Sequence, residues 1–323
     1  MKIIRNTETD PYFNLAAEEY LLDNCPGEIF SLWRNDRSVI IGRSQNAYAE
    51  LDVNFVQAHD IRVVRRLTGG GAVFHDLGNI NYTFITDDGR PLDFARFSRP
   101  IIEALAGLGI RAELSGRNDL TVGGMKISGA AQCVRNGRIL HHGTLLFDAD
   151  LSSMAGALRP DPAKLSSKGI ASVRSRVTNI RRLLGEDCTM DAVGFCDYLM
   201  RYAAGNWGEA AAYGEEEKAA IRLLADTKYS TWAWNFGESR TYGRERRQRF
   251  PFGSVEVGLT VDRGRIASVR IRGDFFGVRE IGELEAALLG LRYERGELSA
   301  ALSRVGDYIH GASAEDLLGL FLC

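Results

Sequence analysis

Several familiar signatures are missing from this 323-residue chain. It has no GxxxxGK[ST] loop and no GxGxxG run, which leaves a P-loop NTPase or a Rossmann dehydrogenase without support. No GxSxG marks a nucleophile elbow. Cysteine is sparse: Cys25, Cys133, Cys188, Cys196 and Cys323 lie at irregular spacings with no CxxC pair. That pattern argues against a disulfide framework or a structural zinc and fits a reducing compartment. An excess of one charge is also lacking. The 40 Lys and Arg against 42 Asp and Glu give a formal net charge of -2, so no global basic field draws in nucleic acid. No stretch approaches the roughly 20 apolar residues that a membrane helix needs, and Met1 to Asp10 lacks the apolar core of a signal peptide. The expectation is a soluble cytoplasmic protein that engages neither nucleic acid nor membrane. There is no internal repeat and no low-complexity segment. At 45% hydrophobic and 25% charged residues the chain reads as globular, with room for one large domain or a large and a small one.

What the chain does have is a run of three glycines in Arg65-Arg66-Leu67-Thr68-Gly69-Gly70-Gly71-Ala72-Val73-Phe74-His75-Asp76. Apolar strands, Ile61 to Val64 and Ile80 to Ile85, lead in and out. Adjacent glycines cost backbone entropy and mark close backbone approach. Bracketed by two arginines and a His-Asp pair, they suggest a loop whose bare amides face phosphate or carboxylate oxygens.

Around this loop, Asp10-Pro11 reads as a helix start, followed by apolar residues at helical spacing. Glu28 to Trp33, Ser38 to Gly42 and Ile61 to Arg66 read as strands, with a short helix from Leu51 to His59. Ser98 to Leu108 is a helix closed by Gly109. Short strands then follow (Ala112 to Leu114, Leu120 to Val122, Lys126 to Ala131, Arg138 to Phe147), with Asn136-Gly137 as a hairpin signal, so antiparallel pairing is expected. Val193 to Ala203 and Glu215 to Leu224 are helices. Tyr242 to Phe250 is polar, basic and without apolar periodicity, and reads as a solvated linker. Beyond it, Ser254 to Val261 and Ile266 to Ile271 alternate about the turn Asp262-Arg263-Gly264 as a hairpin. Amphipathic helices follow at Ile281 to Leu289, Leu298 to Val305 and from Ala314.

Three further clusters could carry chemistry. The Ser115 to Leu120 turn offers Asn118 and Asp119 as a site rim or as an ordinary polar turn. Lys126 opens a strand of small residues, Ser128-Gly129-Ala130-Ala131, where laid-open backbone beside an ammonium makes a channel for a phosphate or an acyl oxygen. His141 and His142 are strand neighbours that point to opposite faces and so cannot easily share a metal ion. Cys133 lies an odd number of residues from Lys126, faces away from it in a regular strand, and reads as a buried structural thiol rather than a nucleophile.

Together these residues resemble the lipoate–protein ligase A family. The resemblance is carried by Arg65 to Asn79, by Gly116-Arg117-Asn118-Asp119-Leu120 with Lys126-Ile127-Ser128-Gly129, and by His141 to Leu146. Asn14-Leu15-Ala16-Ala17-Glu18-Glu19, Ile41 to Asn46, Lys168 to Val177 and Trp232 to Gly237 add to it. The resemblance implies an α+β fold of mainly antiparallel sheets flanked by helices, with a catalytic domain over 1–244 and a small α+β accessory domain over 245–323. It implies ATP-dependent activation of lipoate, or octanoate, to lipoyl-AMP. Transfer then follows to a lysine of an acceptor, the E2 domains of 2-oxoacid dehydrogenase complexes or the glycine cleavage H protein. The enzyme is expected to be a monomer, with Mg2+ accompanying ATP. By the same resemblance, Arg65 and the backbone of Gly70, Gly71, Ala72 and Val73 contact the nucleotide. Asn118 and Asp119 join them, and Asp119 is the candidate magnesium ligand. Lys126 is the catalytic residue and contacts both the carboxylate and the α-phosphate. His75, Asn79, Ala130 and His142 shape the lipoate pocket, with Val73 and Ala131 as further lining. An octanoyl or lipoyl transferase of the same fold works without ATP, and those that use a cysteine need it near the site, where the Asn118-Asp119 turn has none. Lys126 and that turn also argue against a non-catalytic lipoate-binding module, and the absence of a GRGRxGR-type loop argues against a biotin ligase.

Overall fold

Asp10 accepts a hydrogen bond from the Tyr12 N–H and Pro11 opens helix α1 (Pro11–Asn24), so the Asp-Pro pair starts the helix as its chemistry dictates. The computed structural model describes residues 1–43, 45, 47–88, 93–116, 118–158, 177–208, 210–237, 242–273, 275, 279 and 281–322. Arg117, Ser44, Asn46 and the Lys168 to Arg176 part of the sequence motif lie outside the described residues. The chain divides into two units, Met1–Arg43 with Asp60–Thr231, and Ser44–His59 with Trp232–Cys323.

The first unit holds an eight-stranded sheet. Its strands are β1 (Lys2–Arg5), β2 (Ile29–Trp33), β6 (Asn79–Thr86), β7 (Glu113–Ser115), β8 (Asp119–Val122), β9 (Met125–Arg135), β10 (Arg138–Leu146) and β11 (Ala210–Ala211). They run in the order β11-β1-β2-β6-β10-β9-β8-β7. β1 is parallel to β2 and β11, and every other neighbour is antiparallel. The tight turns of this half therefore give the antiparallel pairing expected of them. A second sheet pairs β3 (Ser38–Ile41) with β4 (Arg62–Arg65) in parallel and with β5 (Val73–His75) antiparallel, which sets both arms of the glycine loop against one strand.

β6 is buried at every position, and its two faces differ in chemistry. Ile80, Tyr82 and Phe84 enter a core with Phe30, Phe97, Ile101, Leu105, Phe195 and Leu199. These last five come from α4 (Phe94–Ala106) and α6 (Ala192–Trp207), α5 being Leu151–Ala157. Asn79, Asn81 and Thr83 point the other way by strand alternation. Across the ladder, His141 pairs with Phe84 and His142 with Thr83, so the two histidines take opposite faces as their spacing requires. His141 stacks on Phe97 with ring centroids 4.7 Å apart. Gly143 pairs with Tyr82, whose ring occupies the space that any side chain at 143 would need.

In the second unit β12 (Tyr242–Phe250), β13 (Gly253–Asp262) and β14 (Arg265–Gly273) form an antiparallel sheet. Val255, Val257, Leu259, Val261, Ile266, Val269 and Ile271 are buried, and the hairpin turns at Arg263 and Gly264 with positive φ. Helices α8 (Ile281–Leu288), α9 (Arg295–Leu302) and α10 (Ala314–Leu322) complete that unit, together with α2 (Ala47–Glu50) and α3 (Val53–Ala58); α7 (Glu215–Leu224) belongs to the first unit.

Two sequence expectations need correction. Tyr242 to Phe250 is the edge strand β12, not a linker. An edge strand tolerates arginine along its length, and charge there blocks edge-to-edge pairing, so apolar alternation is not needed. α4 begins at Phe94 behind the cap Asp93 and not at Ser98. Pro100 sits inside the helix, which is held by the buried stripe of Phe94, Phe97, Ile101 and Leu105.

Burial pushes the His141 imidazole down to about 3, and His75 likewise to about 3, so both rings fold in the neutral form. Unfolded histidines titrate near 6.5, so below that pH the unfolded chain binds protons that the folded one refuses. Stability from these groups is complete above about pH 6.5 and is lost as pH falls toward 3. Urea midpoints measured across that window are expected to fall with acid, and His141→Gln is expected to flatten the slope. An unchanged slope would show that His141 does not fold neutral.

Candidate active site

The glycine loop is shaped by the two arginines before it. Arg65 ends β4 fully buried, and its Nη1 donates to the carbonyls of Gly42 (3.0 Å) and Arg43 (3.1 Å). Arg66 turns into the loop itself. Its Nη2 donates to the carbonyls of Gly69 (2.7 Å) and Gly71 (2.8 Å), its Nη1 to Ile40 (3.1 Å) and its Nε to Thr68 Oγ1 (2.9 Å). Burial lowers the Arg66 guanidinium to about 10, with the Glu18 charge opposing the shift, so it stays cationic. Gly70 has φ +96°, and a Cβ there would meet Arg66 Nη2 at 2.9 Å, so this position needs glycine on two counts. The carbonyls of Gly69 and Gly71 are thus turned inward, while the three glycines are exposed. Among the described residues nothing takes up the backbone N–H of Gly70, Gly71 or Ala72. Free amide donors held in one orientation form an anion-binding concavity.

The lysine hairpin supplies a charge. The Lys126 ammonium lies 2.8 Å from Asp119 Oδ1, with both side chains about one-third exposed (37% and 36%). Gly129 leaves room for that ammonium. Asn118 pins the turn to β9: its Nδ2 donates to the Ala130 carbonyl (2.6 Å), and the Ala130 N–H donates to the Asn118 carbonyl (2.9 Å). The segment at Val177 bridges Lys126, with the Thr178 N–H on the Lys126 carbonyl at 2.9 Å.

The two clusters meet through β10. His142 Nε2 lies 2.8 Å from Thr68 Oγ1, and His142 pairs with Ala131 on the strand that carries Lys126. Five residues of strand, roughly 16 Å, separate Ala131 from Lys126. His75 is buried, with Asn35 Nδ2 on its Nδ1 at 3.1 Å, and its Nε2 has no partner among the described residues. Asn79 donates to Asn81 (3.0 Å), leaving Asn79 Oδ1 and Asn81 Nδ2 in the interior without a partner among the described residues. Sequence reasoning missed Glu18, Arg66, Thr68 and Asn81 as separate contributors. Two adjacent acids set within the apolar stretch Leu15 to Leu22, Glu18 and Glu19, were the signal that could have found the first.

Cys133 pairs with Leu140, and burial pushes its thiol up to about 12, which leaves almost no thiolate at neutral pH. The group is structural. Among the described residues no three His, Cys, Asp or Glu side chains converge as a metal site.

The family model described as the lipoyl protein ligase A/B catalytic domain matches residues 10–196, and that of the bacterial lipoate protein ligase C-terminus matches 239–321. A lipoate–protein ligase 1 from Staphylococcus aureus is 43% identical over 314 residues, covering 95% of each chain. A Bacillus subtilis lipoate–protein ligase is 41% identical over 321 residues, covering 96% of each. Among solved structures, an archaeal bipartite lipoate protein ligase from Thermoplasma acidophilum, studied with its E2 lipoyl domain, has TM-score 0.65 at 31% identity. It covers 74% of this chain and 97% of its own. A lipoate–protein ligase A bound with ATP has TM-score 0.61 at 29% identity, covering 73% and 98%. The fold is that of a ligase catalytic domain, and the protein is an enzyme. The chain belongs to the lipoate–protein ligase family.

A Cβ at position 129 would sit 2.8 Å from Lys126 Nζ and 3.1 Å from its Cε. The lysine end can swing aside, so Gly129→Ala is expected to keep its melting temperature while ligase turnover falls roughly 10- to 100-fold, the usual effect of a misplaced group. Turnover equal to the parent enzyme would show that the Lys126 position is not critical.

Proposed function

We propose that this enzyme joins lipoate, or octanoate, to ATP as an acyl-adenylate with release of pyrophosphate, and then passes the acyl group to a lysine of an acceptor domain. The acceptors in this reading are E2 domains of 2-oxoacid dehydrogenase complexes and the glycine cleavage H protein. The observation that carries it is a set of free loop amides, Gly70 to Ala72, linked through Thr68 and His142 to the strand that bears the Lys126 ammonium. The names of the relatives support the substrates: one similar structure holds ATP, and another comes from a lipoylation system with an E2 lipoyl domain.

The chemistry follows from charge. In the first step the acid's carboxylate oxygen attacks the α-phosphorus and pyrophosphate leaves with its electron pair. Negative charge grows on the α-phosphate oxygens, where Lys126 and the loop N–H groups act as fixed donors. The Gly70, Gly71, Ala72 and Val73 backbone lies along the nucleotide, with Asn118 and Asp119 on its rim, and the fully buried Arg65 stands behind on the Gly42 and Arg43 carbonyls. Asp119 holds the Lys126 ammonium in place beforehand, so little reorganisation is needed when the substrate oxygens arrive. In the second step an acceptor amine attacks the acyl carbon and AMP leaves. No enzyme nucleophile is required, in keeping with the inert Cys133. The stretch from Lys126 to Ala131 and His142, with His75, Asn79, Ala130 and Val73, lies where an extended acyl chain would run. His142 has both ring nitrogens engaged, so it offers a substrate its ring face.

One carboxylate in this region suits Mg2+, which is usually bound by one or two carboxylates plus substrate phosphates and water. Asp119 would hold it, and the ion would offset phosphate charge. Residues 1–244 form the adenylating part in this reading and 245–323 the accessory domain. The enzyme is a cytoplasmic monomer, for which the free thiols of Cys25, Cys133, Cys188 and Cys196 support the reducing compartment. No helix among the described residues is long and apolar enough to cross a membrane.

Pyrophosphate exchange into ATP is expected only when lipoate or octanoate is present, and Lys126→Ala is expected to lower it at least about 100-fold while the protein stays folded. No exchange with either acid at any magnesium level would overturn the adenylation step. ATP-independent transfer from an acyl carrier protein would install the transferase in its place.

A further inference from the structure

The hydrogen bonds behind Arg66 form one chain that starts on α1, and every member can donate in the same direction. The Arg66 Nε–H donates to Thr68 Oγ1 (2.9 Å). Thr68 Oγ1 faces His142 Nε2 (2.8 Å), and His142 Nδ1 faces both Glu18 oxygens (2.9 and 3.0 Å). A carboxylate on Nδ1 places the imidazole proton there, which leaves Nε2 bare to accept the threonine hydroxyl. Glu18 also accepts from Thr83 Oγ1 (2.6 Å), which in turn accepts from Trp33 Nε1 (2.9 Å). Arg66, Thr68, His142, Glu18, Thr83 and Trp33 are all 9% exposed or less. The run therefore joins the buried Arg66 guanidinium to the buried Glu18 carboxylate through Thr68 and His142.

An exposed glycine loop has no side chains to hold it. Glycine samples left- and right-handed backbone alike, so free N–H groups there would drift among many orientations. The loop's side-chain anchors are the two Arg66 bonds to the carbonyls of Gly69 and Gly71. A guanidinium out of water needs a countercharge, and Glu18 provides it through the relay.

We propose that Glu18, His142 and Thr68 are positioning residues for adenylation: they fix the Arg66 guanidinium and, through it, the direction of the Gly70, Gly71 and Ala72 amides. This rests on the adenylating activity proposed above. It gives His142 a role as a relay, and it makes α1 part of the apparatus that orients the loop.

Thr68→Val removes the hydroxyl at constant shape, and Thr68→Ser keeps it. In the full-length enzyme, Thr68→Val is expected to lower pyrophosphate exchange roughly 10- to 100-fold, the scale of a slightly misplaced donor set. Thr68→Ser recovers most of the loss. Glu18→Gln combined with Thr68→Val loses no more than the worse single variant, because both cut one chain. Losses that multiply, or a Thr68→Val enzyme with normal exchange, overturn the proposal. Deuterium uptake of the peptide spanning residues 66–73 gives a second readout independent of activity. Faster uptake in Thr68→Val than in Thr68→Ser is expected, and equal uptake overturns the proposal. If the parent enzyme exchanges no pyrophosphate yet this uptake difference persists, the adenylation reading fails and the positioning role stands. Should Glu18→Gln not fold, the valine–serine pair carries the test alone.

Discussion

A buried guanidinium gripping the carbonyls of Gly69 and Gly71 is the contact on which the rest of the site depends. Three consecutive glycines supply amides without steric cover, but by themselves they supply no shape. Arg66 gives the shape by taking the loop's carbonyls inward and leaving its N–H groups outward. The cost of burying that charge is met by Glu18, and the route between them passes through β10 and so ties the loop to the strands that carry Lys126. One interaction thus sets loop conformation, charge balance and the joining of two clusters far apart in sequence.

The central sheet makes this possible by keeping its faces chemically separate. One face of β6 gives Tyr82 and Phe84 to the apolar core, and His141 joins them as a neutral aromatic disc. The other face gives Thr83 beside Glu18 and His142. A one-residue slip in the β6–β10 register would exchange the two sets, burying the relay in the core and exposing the aromatics. Gly143, filled over by Tyr82, fixes that register from within the ladder. Fold stability and site geometry therefore rest on the same pairing.

Much of this was legible in the sequence. The Asp10-Pro11 start, the antiparallel hairpins and the opposite faces of His141 and His142 follow from local chemistry and strand alternation. Gly69 to Gly71 and Lys126 stood out because their residue types are costly where they occur. Other features escaped for physical reasons. β12 reads as a linker because an edge strand has no need of apolar alternation. α4 reads short because its first turn, behind the cap Asp93, lies outside the Ser98 to Leu108 stretch. Arg66 was overshadowed by Arg65, since nothing in two adjacent arginines says which one turns into the loop. Glu18 and Thr68 gain their meaning only from a contact that spans 124 residues at one end and 74 at the other. Spacing along the chain carries no trace of it.

The account holds that these donors are aimed at an acyl-adenylate and not at the free acid. Titration calorimetry with a non-hydrolysable acyl-sulfamoyl adenosine, set against lipoate alone, tests this most directly. The analogue of the activated intermediate should bind at least about 100-fold more tightly than the acid. Equal affinities, or a preference for the acid, would contradict the account.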